Sequence, residues 1–62
     1  MKKVLVYFVT KKDEFAKTYL NVPESTLNQP KADALFDIGK LLFNTKKVPM
    51  INLVAYKIPK YN

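Results

Sequence analysis

Asp33 and Asp37, four residues apart, are the nearest this chain comes to a catalytic pair. On a helix that spacing puts both carboxylates on one face, an arrangement that general acid–base chemistry can use. Nothing joins them, because the chain has no His, no Cys and no Arg. Lys40 follows three residues after Asp37, so the face reads as a solvated polar one. The other acids, Asp13, Glu14 and Glu24, are scattered. Without imidazole or thiolate a zinc centre lacks its usual ligands, and the thiol and imidazole nucleophile–base pairs are removed. A single glycine, Gly39, excludes a glycine-rich phosphate cradle. The expectation is a protein that is not an enzyme and holds neither metal nor cofactor.

Lysine is the other chemistry on offer. Eleven lysines against five acids give a net charge of +6, which suits an anionic partner or simply keeps a small protein soluble. Lys11 and Lys12 follow an apolar run, and Lys46 and Lys47 follow a helical pattern. These four are the candidate phosphate contacts. Lys2, Lys3, Lys57 and Lys60 gather at the opposite end of the expected sheet, so the two clusters resemble solvated rims more than one binding stripe. Lacking Arg, the chain cannot make the bidentate guanine contact that most often reads a base. Any nucleic-acid binding should therefore be non-specific and salt-sensitive.

The elements that must position these groups follow from periodicity. Val4 to Val9 is β-branched and aromatic, apolar on both faces, and reads as a central strand. Phe15 to Val22 reads as a second strand after a polar turn over Lys11 to Glu14, with a short helix capped by Asp13 as the alternative. Pro23 to Gln29 reads as a loop. A helix is expected from Asn28, as N-cap, to about Phe43, with Ala32, Leu35, Phe36, Gly39, Leu42 and Phe43 as its core stripe. Gly39 in that stripe costs about 1 kcal/mol relative to Ala, so close approach to the sheet is its expected reason. Met50 to Ile58 reads as the last strand, ended by Pro59.

The fold class is therefore α+β: a single small domain over 1–62, ordered ββαβ, with a three-stranded sheet of order 2-1-3 and one helix on one face. Phe8, Thr10, Lys17-Thr18, Val22-Pro23, Leu27, Asp37 and Ala55 fall where this pattern resembles a family of small ββαβ proteins from low-GC Gram-positive bacteria. That family has no established activity, so the resemblance implies the fold and no chemistry.

With Val4, Val6 and Phe8 facing the helix, the other sheet face is expected to carry Leu5, Tyr7, Val9, Phe15, Tyr19, Val54 and Tyr56, with Lys17 and Asn52 among them. An apolar patch of that size points to burial against another surface. The favoured reading is a protein-interaction or self-association module, a homodimer or a complex with another protein. The alternative is a non-specific nucleic-acid-binding protein of a plasmid or phage, with bases stacked on the aromatic rings. The Lys2-Lys3 start and its six-residue apolar run are too short for a signal peptide or a membrane span. A cytoplasmic location without membrane contact is expected.

Overall fold

The computed structural model describes residues 1–59; Lys60, placed above in the second basic cluster, lies outside them. β1 (Lys2–Val9) and β2 (Phe15–Val22) form an antiparallel hairpin, and β3 (Leu53–Lys57) pairs antiparallel with the other edge of β1. The sheet order is β2-β1-β3, with helices between β2 and β3. This is the α+β, ββαβ arrangement expected from the sequence, and residues 15–22 are a strand rather than the alternative helix.

Thr10 closes the hairpin. Its carbonyl accepts from the Asp13 N–H at 3.0 Å, its own N–H donates to the Glu14 carbonyl at 2.9 Å, and its hydroxyl accepts from the Lys12 and Glu14 N–H groups at 3.3 Å. Asp13 takes the left-handed conformation, φ 59°, which Asp tolerates better than most residues.

The segment read as a loop contains one helical turn, α1 (Glu24–Leu27). Its polar sequence hides the turn, yet Thr26 is buried and Leu27 packs against the core. Asn28 ends α1, donating its N–H to the Glu24 carbonyl at 3.0 Å, rather than capping the next helix. Pro30 is the reason: it disfavours helical backbone at Gln29, so α2 (Lys31–Lys46) starts after it. α2 ends at Lys47, which is left-handed at φ 60° and donates its N–H to the Phe43 carbonyl at 2.9 Å.

α2 is turned differently from the expected stripe. Its buried residues are Ala34, Ile38, Gly39 and Leu42, while Phe36 and Phe43 are exposed. The apolar arc is wider than a three-stranded sheet can cover, and the compact aliphatic row is the one that fits. Ile38 and Leu42 meet Val4 and Val6 of β1 and Leu20 and Val22 of β2 in one cluster, with Phe8, Leu27, Leu41, Val48, Leu53 and Tyr56 at its margin.

The expected last strand is half strand. Met50–Asn52 form a 3-10 turn after Pro49, held to the end of β1 by Asn52 Nδ2 donating to the Val9 carbonyl at 2.8 Å. A bulge then breaks the register: Tyr7 opposes Ala55 but Phe8 opposes Leu53, leaving Val54 as the extra residue. Tyr56 opposes Val6 and shares its helix-side face. Tyr56 and Val54 therefore do not join the open sheet face as period two suggested. One inserted residue inverts every side chain beyond it.

Candidate functional site

Two surfaces remain once the core is assigned. The first is an apolar groove between α2, the 3-10 turn and β3. Ala32, Leu35, Phe36 and Gly39 form one wall, and Met50, Leu53 and Val54 the other, enclosing a depression of about 300 Å3. Among the described residues no charged one lines it. Of the lining residues, Phe36 is 55% exposed, and Met50 and Val54 are also partly in solvent; Ile51, 91% exposed, adjoins Met50 in the 3-10 turn. Lys40 Nζ lies 4.8 Å from the centroid of the Phe36 ring and covers it in part.

This wall takes four of the six residues that helical periodicity marks as a core stripe, while Leu42 of that stripe is buried as expected. At 3.6 residues per turn the wall stands about a third of a turn from the row that is buried. Gly39 lies at the groove floor. A Cβ there would sit 3.6 Å from Leu53 Cδ2 and from Met50 Cγ and Cε, which is ordinary van der Waals contact. Close approach to the sheet therefore does not require a glycine. What its missing side chain leaves is depth in the groove.

The second surface is the sheet face away from α2. The register places Lys3, Leu5, Tyr7 and Val9 of β1 opposite Asn21, Tyr19, Lys17 and Phe15 of β2, with Ala55 and Lys57 of β3 beside Tyr7 and Leu5. Five of the seven expected patch residues are here: Leu5, Tyr7, Val9, Phe15 and Tyr19. The bulge exchanges Val54 and Tyr56 for Ala55 and Lys57, so the face is less apolar and more cationic than expected. Leu5, Tyr7, Tyr19, Lys57, Ile58 and Pro59 line a depression of about 420 Å3 on it.

The four lysines singled out as phosphate contacts are all exposed. Lys11 and Lys47 do come to one end of the sheet, where they border a depression of about 160 Å3 with Thr10, Val48 and Asn52. Lys12 and Lys46 are not part of its lining. Asp33 and Asp37 form no site: Asp33 is exposed, and Asp37 Oδ2 accepts from Gln29 Nε2 at 2.9 Å, tying the α1–α2 link to α2. Among the described residues no three carboxylate, imidazole or thiol groups cluster as metal ligands, and no helix is long and apolar enough to cross a membrane.

Comparison with known proteins gives no match: no family model, curated sequence or solved structure aligns significantly with this chain.

Proposed function

We propose that this protein is a non-enzymatic self-association module whose interface is the apolar groove between α2 and β3. The observation that carries the reading is the apolar groove in which exposed Ala32 and Phe36 and half-buried Leu35 face Met50 and Val54 over Gly39. Surfaces of this kind mark contacts with another protein.

A second copy is the partner that fits best. The fully buried apolar core is small, comprising Val4, Val6, Leu20, Val22, Ala34, Ile38 and Leu42. A chain of 62 residues without disulfides gains stability most directly by burying more apolar area against a partner. Charge points the same way. Two copies of a +6 chain repel, but no charged residue among those described lines the groove, and Lys40 over the Phe36 ring is the cation a contact there has to accommodate. The open sheet face would set Lys3, Lys17 and Lys57 against their own copies with no carboxylate between them.

Sedimentation equilibrium from micromolar to millimolar protein tests the proposal. Wild type should associate, and Ile51→Asp should remain monomeric, because an unpaired carboxylate in an apolar contact is costly to bury. Ile51 is 91% exposed, so the monomer's own stability should not change. Tyr7→Lys, on the open face, should leave association intact. A wild type that stays monomeric at millimolar concentration, or an Ile51→Asp variant that associates as wild type does, would refute the groove as interface.

A further inference from the structure

The open sheet face separates the charges of this chain. Lys3, Lys17 and Lys57 stand on it together with Tyr7, Phe15 and Tyr19. No carboxylate does: Asp13 and Glu14 lie at the hairpin turn, Glu24 in α1, and Asp33 and Asp37 in α2. From this complementarity we infer that the face binds single-stranded nucleic acid without sequence preference, bases stacking on Tyr19 and Phe15 while the three ammonium groups neutralise phosphates.

The ring geometry supports stacking. Phe15 is 81% exposed and Tyr19 is 55% exposed, so each offers a ring to solvent rather than to the core. Lys3 Nζ lies over the Tyr19 ring, 5.6 Å from its centroid, so a base that stacks there displaces the ammonium from the ring face toward its own phosphate. Tyr19, Tyr7 and Lys57 also border a shallow depression of about 420 Å3 on this face. Alternate positions along a strand repeat at about 6.5–7 Å, so the rings and cations recur along a track rather than at one point. Single strands are required, since within a duplex both faces of a base are already stacked on its neighbours. Without a guanidinium fork the phosphates are met by point charges, and no base edge is read.

Fluorescence anisotropy of a labelled oligo(dT) provides the test, with poly-glutamate and dextran sulfate as unlabelled competitors. Three phosphate contacts predict a slope of log K against log salt of about −2, or a loss of about 20-fold between about 50 and 200 mM salt. Lys17→Gln should reduce the slope by about 0.7. Tyr19→Ala should weaken binding by about 5- to 150-fold and leave the slope unchanged. Both side chains are exposed, so circular dichroism of the two variants should match wild type. Absence of binding at about 50 mM salt would overturn the inference. So would binding that ignores both substitutions, which would move the contact to the Lys11–Lys47 end. Poly-glutamate competing better than unlabelled oligo(dT) would overturn it in favour of an acidic protein partner, and dextran sulfate matching oligo(dT) would reduce it to charge alone. Ile51→Asp should bind oligo(dT) as wild type does, so failure here is distinguishable from failure of the groove.

Discussion

Comparing Ile38→Ala with Phe36→Ala decides which face of α2 meets the sheet. Ile38 is fully buried among Val4, Val6, Leu20, Val22 and Leu42. Ile→Ala removes three carbons at about 0.8 kcal/mol each, about 2.4 kcal/mol in transfer alone. The hole is enclosed by strand and helix, so a cavity term brings the cost to about 3–4 kcal/mol. Phe36 is 55% exposed, with Lys40 over its ring. Burying a little under half of a phenylalanine covers about 90 Å2, and about 25 cal/mol per Å2 then sets an upper limit near 2 kcal/mol. Its removal opens a notch that water fills, so no cavity term is added. At about 0.05–0.15 kcal/mol per residue, the whole domain has about 3–9 kcal/mol of stability. Ile38→Ala should therefore remove a large share of it, and Phe36→Ala about 1–2 kcal/mol. Urea unfolding followed by circular dichroism, at a concentration low enough to exclude association, measures both. With a slope of about 1 kcal/mol/M for a chain this small, the midpoints should fall by about 3–4 M and 1–2 M. A cost for Phe36→Ala equal to or above that for Ile38→Ala would refute the rotation and return Phe36 to the core.

Two more substitutions probe the backbone. Gly39→Ala should raise stability by about 1 kcal/mol, since helix propensity improves and the new Cβ meets its neighbours at 3.6 Å; a lower urea midpoint would mean the helix lies closer to β3. Lys47→Gly should also stabilise, by about 1 kcal/mol, because φ is 60° at this helix end. It should leave the oligo(dT) salt slope unchanged, since Lys47 is at the end of the sheet and not on its open face.

Much of the fold could be read along the chain because it depends on local chemistry. Val4 to Val9 could hardly be anything but a strand flanked on both sides, and it is the middle of the three. Pro30 and the apolar periodicity after it announce α2, and the composition alone removes imidazole, thiol and guanidinium chemistry. What the chain could not disclose was decided by how neighbours fit. Periodicity marks Ala32, Leu35, Phe36, Gly39, Leu42 and Phe43 as one stripe, but it says nothing about which part of a wide apolar arc a narrow sheet will cover. The sheet takes Ala34, Ile38 and Leu42 with Gly39 beside them, and Ala32, Leu35 and Phe36 are left to line a groove. In β3, alternation predicts faces only while the register runs unbroken. The inserted Val54 is set by the pairing of Phe8 with Leu53 and the Asn52 bond to Val9, contacts more than 40 residues apart in sequence. That single bulge turns Tyr56 to the margin of the core and brings Lys57 onto the open face. The number of lysines was legible in the sequence, but the placing of Lys3, Lys17 and Lys57 on one face without an Asp or Glu is a property of the folded sheet.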